Sequence, residues 1–339
     1  MKNLFLTICL CVFILSLVSA RQYSKNNLLI PSSEFCTSTF SIVGFDSSNG
    51  DLGVAVQSKF PNVRPIVPWA EAGVGAIATQ SLANTSYGPK GLALLKNGAT
   101  AEEALKILLA NDSLREERQV GIVDHKGNSA TWTGKNCFDW AGGQAGNNLA
   151  ARGVVVSGNN FTAQGNILVG NATIDAMVRT FESVNGSLAD KLLAALVAGG
   201  KAGGDRRGEQ SAALLVVRKG AGYGGLDNFI DISIYDHPTP LAELQRLYEI
   251  HKLFFYKSEP KNLIEINETL CKELQKVMKD RGSYKGDIQG KFDETTKQSL
   301  KDFMYWENYD ERVRDDNMID KEVLADIRKN YQVWKTKHR

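Results

Sequence analysis

The chain predicts an α/β fold of the α+β kind: a layered sandwich of mainly antiparallel sheets covered by helices, followed by a small all-α three-helix module. Three observations carry that expectation. Between Thr39 and Lys257, strand-like pairs alternate with pairs of helical segments, the order in which sheets and their covering layers share one core. After about Ser258 glycine becomes scarce, charges of both signs mix, and apolar residues fall at helical spacing. A length of 339 residues suits one large domain plus a small one, and 43% hydrophobic content supplies a core for both.

The elements follow in order. Thr39 to Phe60 (TFSIVGFDSSNGDLGVAVQSKF) reads as strand, turn, strand, with Ser47 to Asp51 as the turn and Gln57, Ser58 and Lys59 ending the return strand. Trp69 to Ser81 is a Gly- and Ala-rich third strand region. Thr100 and Glu103 form a capping box for a helix with Ala104, Leu105, Leu108 and Leu109 on one face. Gln119–Asp124 and Ser129–Thr133 make a hairpin around Lys126-Gly127. Two helices come next, one carrying Ile174, Met177, Val178 and Phe181, the other starting at Ser187 and stopping at Gly199-Gly200. Ser211–Val217 and Ile230–Tyr235 return to strand, and Thr239-Pro240 caps a helix with Leu241, Leu244, Leu247 and Tyr248. Gly146–Gly153 nearly repeats as Gly158–Gly165, which suggests a Gly/Asn-rich loop or hairpin insertion. In the tail, Leu270, Leu274, Val277 and Met278 share one helix face. Leu300, Phe303, Met304 and Trp306 mark a second helix, and Ile319, Val323, Leu324 and Ile327 a third.

Residues 1–20 have the form of a secretory signal peptide: Lys2, an apolar run from Leu4 to Leu17, and the small-residue site Val18-Ser19-Ala20. Residues 21–38 are polar and patternless, as in a leader or pro-segment. The expected organisation is therefore signal peptide 1–20, leader 21–38, sandwich 39–257 and helical module 260–339, with the product secreted and no span after the signal. A net charge of +2 gives no reason to invoke nucleic acid. Cys9 and Cys11 leave with the signal, so Cys36, Cys137 and Cys271 remain, with Cys36–Cys137 the disulfide to expect first. Six sequons, at Asn84, Asn111, Asn160, Asn171, Asn185 and Asn267, are glycosylation acceptors in a eukaryotic secretory pathway; a bacterial host leaves them bare.

The threonine that opens the first hairpin carries the chemistry. A chain cut just before Thr39 would place a free α-amine, of pKa about 8, beside a hydroxyl; this is the layout of an N-terminal-nucleophile (Ntn) hydrolase. The same stretch is also an ordinary strand pair that begins with a good strand former. Lys59 would favour the deprotonated hydroxyl by its charge, or simply be solvated. Gln57, Ser58, Thr79 and Gln80 are candidates to hydrogen-bond substrate or an oxyanion, or to satisfy backbone. Gly203 to Gln210 (GGDRRGEQ) places Asp205, Arg206, Arg207 and Gln210 in a Gly-rich turn suited to a carboxylate or phosphate, or to an ion-paired loop. Tyr305 and Trp306 are candidates to stack on sugar rings, or core of the small module. His125, His237, His251 and His338 show no metal-ligand spacing, and neither a Walker nor a dinucleotide motif occurs. No metal and no cofactor are expected.

TFSIVGFD, GDLGVAVQSKF, PWAEAGVGAIATQS, SYGPKGL, QVGIVD, WAGG, AQGNIL, GGDRRGEQSAALLVV, GYGGL and DHPTPLAELQRLYEIH, in that order, resemble a widespread domain-of-unknown-function family classed as Ntn-hydrolase-like. The tail resembles the peptidoglycan-binding-like module that often follows it, through Gly286, Gly290, Phe292, Asp293, Thr296, Leu300, Phe303, Trp306, Glu307, Asn308, Ile319 and Asp320. The resemblance implies an αββα sandwich with a helical appendage, and no substrate. A free Thr39 amine requires a cut between Ser38 and Thr39, separate from signal removal after Ala20. Two functions follow: an Ntn-type amidohydrolase acting on a peptide, amide or cell-wall fragment, or a non-catalytic protein that recognises cell-wall glycan through its tail.

Overall fold

The computed structural model describes residues 39–338; the expected signal peptide, the expected leader and Cys36 lie outside them. The chain runs β1 (Thr39–Asp46), β2 (Asp51–Ser58), β3 (Pro68–Glu71), β4 (Gly75–Ser81), α1 (Tyr87–Lys96), α2 (Ala101–Ala110), β5 (Arg118–Asp124), β6 (Asn128–Thr133), β7 (Gly142–Ala145), β8 (Asn148–Ala150), β9 (Val156–Asn159), β10 (Phe161–Asn166), α3 (Ala172–Ser183), α4 (Leu188–Lys201), β11 (Ser211–Val217), β12 (Asn228–Ile234) and α5 (Pro240–Phe255). Two antiparallel sheets form, ordered β12-β11-β2-β1-β10-β7-β8 and β3-β4-β5-β6-β9.

Side-chain alternation explains the layers. Phe40 and Ile42 of β1 pack with Ile174, Met177, Leu192, Leu196 and Leu244 of α3, α4 and α5. Val43 on the opposite face joins Val54, Val56, Ala76, Ala78 and Val123 between the sheets. Ile77, Val120 and Ile122 face Leu92, Leu95, Leu105 and Leu108 of α1 and α2. Helices, sheet, sheet and helices thus stack as an αββα sandwich.

The expected capping boxes form at Thr100/Glu103 and at Ser187, whereas Thr239 makes no side-chain cap bond before Pro240. Helix α4 runs through Gly199-Gly200 to Lys201 rather than stopping there. A Cβ on Gly199 would lie 2.7 Å from Met177 Cγ, so this glycine serves a close approach between helices and not a terminus. The Gly/Asn-rich repeat corrects an expectation. Much of it is strand, and β10 sits beside β1 in the middle of the larger sheet. Phe161 and Ala163 face the helices while Thr162, Gln164 and Asn166 alternate toward the other sheet.

The tail contains α6 (Glu268–Asp280), α7 (Glu294–Trp306) and α8 (Lys321–Lys337), together with a two-stranded ladder of β13 (Leu263–Glu265) and β14 (Met318–Asp320). Ile319 belongs to that ladder rather than to the third helix. Asn267, Asp293 and Asp320 cap the three helices. Gln275 is buried and saturated: its Nε2 donates to Tyr284, Lys291 O and Thr296, and its Oε1 accepts from Gln289 and Gly290 N–H. This tail core is shared, because Leu253 and Phe254 from the end of α5 pack against it. Among the described residues no helix is long and apolar enough to cross a membrane.

Candidate active site

Thr39 opens β1 between β2 and β10, opposite Ser58 on one side and Asn166 on the other. It is 1% exposed. Its side chain shares a strand face with Ser41 and projects between the sheets, since Phe40 and Ile42 take the helix face. Thr39 Oγ1 lies 3.0 Å from Ser58 Oγ. The Thr39 carbonyl accepts from Gln80 Nε2 at 3.0 Å and Asn166 Nδ2 at 3.5 Å.

Behind Thr39 the space between the sheets is polar rather than apolar. Gln80 Oε1 accepts from Ser41 Oγ at 2.6 Å, and Gln164 Nε2 donates to the same hydroxyl at 2.7 Å. Gln119 joins the two anchors: its Oε1 accepts from Gln80 at 2.8 Å and Asn166 at 3.0 Å. Its Nε2 reaches Gly165 O at 2.8 Å and Thr133 Oγ1 at 2.9 Å. Amide side chains of this kind are stable in an interior only when such partners exist. Gly121 of β5 makes the room: a Cβ there would stand 2.3 Å from both Gln164 Oε1 and Thr162 Oγ1.

The other expected site residues divide into groups. Ser58 and Gln80 adjoin Thr39, and Gln80 is an anchor for the chain rather than a free donor toward substrate. Gln57 lies on the opposite face of β2, beside Phe40 and Ala212, buried and with neither amide atom hydrogen-bonded. Thr79 likewise points away from Thr39 and donates to Asn84 O at 3.3 Å. Both corrections follow from strand parity, which turns neighbouring side chains to opposite faces.

Lys59, Asp205 and Arg207 form a second cluster just past the end of β2. The Asp205 carboxylate is fully buried, accepts Lys59 N–H at 2.9 Å and Arg207 N–H at 2.8 Å, and pairs with the Arg207 guanidinium at 3.2 Å. It holds the backbone in place. The Lys59 ammonium donates to Glu209 O at 3.2 Å and does not reach Thr39. Burial raises the Glu209 carboxyl pKa. Arg206 donates to Asp139 O, and Gln210 Nε2 to Asp236 at 3.1 Å, both at the surface.

Cys137 is a buried free thiol that donates to Arg118 O at 3.4 Å, and burial pushes its pKa up; the Cys36 half of the expected disulfide lies outside the described residues. Among the described residues no three His, Cys, Asp or Glu side chains are placed to hold a metal ion. Tyr305 and Trp306 are both exposed at the end of α7. Of the two roles weighed for Trp306, stacking on a sugar or filling the core, the core position is taken by Tyr309 of the next turn, and Trp306 lies at the end of α7 outside the core.

Ser41, Gln119, Gln164 and Asn166 escaped the sequence reading. For Gln164 and Asn166 the signal was the alternation of polar with apolar residues in Phe161–Asn166, masked by the Gly/Asn-rich flanks.

Chemically, the arrangement presents a threonine hydroxyl on a fixed backbone. Among the described residues its hydrogen-bond partner is another hydroxyl, which is no base. To act as a nucleophile, such a hydroxyl needs a general base within hydrogen-bond reach.

A family described as a "family of unknown function (DUF1028)" matches residues 39–244, and one described as a "putative peptidoglycan binding domain" matches residues 254–326. The crystal structure of protein SPO2555 from Silicibacter pomeroyi, also of DUF1028, is similar at 29% identity and a TM-score of 0.55, covering 63% of this chain and 86% of that one. Anbu (ancestral beta-subunit) from Yersinia bercovieri aligns at 11% identity and a TM-score of 0.30, covering 62% and 93%. Anbu from Hyphomicrobium sp. strain MC1 aligns at 10% and 0.32, covering 65% and 99%. No curated protein matches the chain.

Proposed function

The chain belongs to the DUF1028 family and carries a C-terminal peptidoglycan-binding-type domain, and from that premise we propose a secreted amide-bond hydrolase. Its nucleophile is Thr39, freed by cleavage of the Ser38–Thr39 peptide bond, and its tail holds it to cell-wall glycan. The observation that carries this reading is the anchoring of Thr39. Its carbonyl is held by two buried side-chain amides and its hydroxyl by Ser58, at the start of a central strand. A new chain terminus would otherwise fray.

In this reading the freed amine takes the proton of Oγ1 as that oxygen attacks the carbonyl carbon of a peptide or amide. The same proton passes to the leaving nitrogen, and an ester to Thr39 remains. Water, deprotonated by the amine, then hydrolyses the ester and restores the hydroxyl. Ser58 orients Oγ1, and the cluster just past the end of β2 supplies Lys59 and Arg207 as cations suited to a substrate carboxylate.

Mass spectrometry of the secreted protein tests the reading: the active chain is expected to begin at Thr39. Thr39→Ala should abolish amide hydrolysis with the fold intact, and Thr39→Ser should keep a fraction. An active chain still continuous through Ser38 overturns it. One observation favours the second reading, a wall-binding protein without catalysis: the Lys59 ammonium is turned to Glu209 O and not to Thr39. That reading predicts an uncut chain.

A further inference from the structure

Trp306 is 80% exposed, whereas Trp132 is buried and Trp69, Trp140 and Trp334 are half-buried. An indole left in water forgoes the free energy of burial, and Trp is enriched where an apolar ring meets a partner while its polar edge stays wet. Next to it opens a cavity of about 310 Å³, bounded by Arg281, Ser283, Asp302, Phe303 and Glu307 as well as the indole. Its polar side is built, not incidental. Arg281 Nη2 and Glu307 Oε1 meet at 2.5 Å, with only 22% and 17% of their side chains exposed. Asp302 is exposed and has Gln298 as a neighbour on one oxygen at 2.9 Å. Ser283 donates to Met278 O at 3.2 Å, which leaves its oxygen able to accept.

A flat apolar platform beside planar, hydrogen-bonding carboxylate and guanidinium groups matches one chemistry: a pyranose ring. Such a ring has an apolar face of C–H groups and an equatorial rim of hydroxyls. A lipid surface would ask for more apolar area, and a peptide carboxylate would meet two carboxylates here. We propose that Trp306 is the platform of a sugar-binding site, with one face of a pyranose of a glycan strand on the indole and its rim hydroxyls on Asp302 and the Arg281–Glu307 pair. Tyr305, exposed but about 100° further round the helix, does not border the cavity. The inference rests on the proposed wall-binding role of the tail and adds that the sugar strand, not the peptide stem, is recognised.

The test uses the full chain, insoluble cell wall for pull-down and an N-acetylglucosamine tetramer for calorimetry. The wild type should bind both. Trp306→Ala, at a surface position, should melt as the wild type does and lose on the order of tenfold in affinity for the tetramer, the size of one aromatic stacking contact. Trp306→Tyr should recover part of that, and Tyr305→Ala should change nothing. Retention of the wild type on cell wall with no tetramer binding, or equal binding by Trp306→Ala, overturns the sugar site and leaves wall binding standing. Failure of the wild type to bind cell wall overturns both.

Discussion

Asp112, in the turn after α2, has a crowded carboxylate. Its oxygens accept from Arg118 Nε at 3.0 Å, Asn84 Nδ2 at 3.1 Å, Tyr87 OH at 2.9 Å and Leu114 N–H at 2.8 Å. Burial alone would push this carboxyl upward, but the donors, Arg118 foremost, outweigh it and hold it well below the usual range. Burial, then the bond to Asp112, moves the Tyr87 hydroxyl well above its ordinary value. Because the folded pKa lies below the unfolded value of about 4, the stabilisation is fully present above that pH. It is lost as pH falls through the folded value. Asp112→Ala, which strands a guanidinium only 12% exposed, should cost about 3 kcal/mol at pH 7, a gap that narrows toward pH 2. Urea unfolding at both pH values checks this; a gap that is equal at the two, or near zero at pH 7, refutes it. At this scale the sequence reads unevenly. Thr39 was legible because it opens a strand, and Ser58 because it ends the partner. Gln57 and Thr79 were not, because one residue of strand parity decides the face. The direction of Lys59 depends on the distant Gly203–Gln210 loop.

The elements around Thr39 depend on a network that joins β4, β5 and β6 of one sheet to β1, β10 and β7 of the other. Gln119 of β5 is its centre, bonded to Gln80 of β4, Asn166 of β10, Thr133 of β6 and the carbonyl of Gly165. Gln119→Leu keeps the volume but leaves several buried donors and acceptors without partners, at about 1–3 kcal/mol for each. The expected loss is therefore about 3 kcal/mol or more in chemical denaturation. If the Thr39 terminus is the nucleophile, release of the 21–38 leader should slow with it. A variant as stable as the wild type would show that the network positions nothing. Helices with capping boxes and hairpins with apolar alternation were readable because their signals are local. Helix α1 was not, since Tyr87–Lys96 has two glycines and a proline in its first turns and packs through Gly88 and Gly91 against Trp69 and Ile77. Strand β10 failed for a related reason: its polar side chains find partners in residues more than forty positions away, on the neighbouring strand β1 for Gln164 and across the sandwich for Asn166.

Across the whole molecule, the expected boundary between 257 and 260 falls inside a shared core. Arg312 of the tail is 3% exposed. It donates to the carbonyls of Lys252 at 2.7 Å and Leu253 at 3.1 Å, capping the last turn of α5, and pairs with Asp320 at 2.6 Å. Phe254 stacks on Tyr309 with centroids 5.3 Å apart. Helix α5 in turn packs Leu241, Leu244 and Tyr248 into the sandwich. The tail therefore holds the end of a helix that the sandwich needs, and a break at the linker does not uncouple them. Limited proteolysis should cut first between Lys257 and Lys261, where Ser258, Glu259 and Pro260 interrupt the helices, yet the two fragments should elute together. Arg312→Ala leaves Asp320 buried without its cation and α5 without its cap, a loss of about 3 kcal/mol or more. It should let the fragments separate and lower the melting temperature of the sandwich part as well. Fragments that separate freely in the wild type, with residues 39–257 melting as the full chain does, would show two independent units and defeat the prediction.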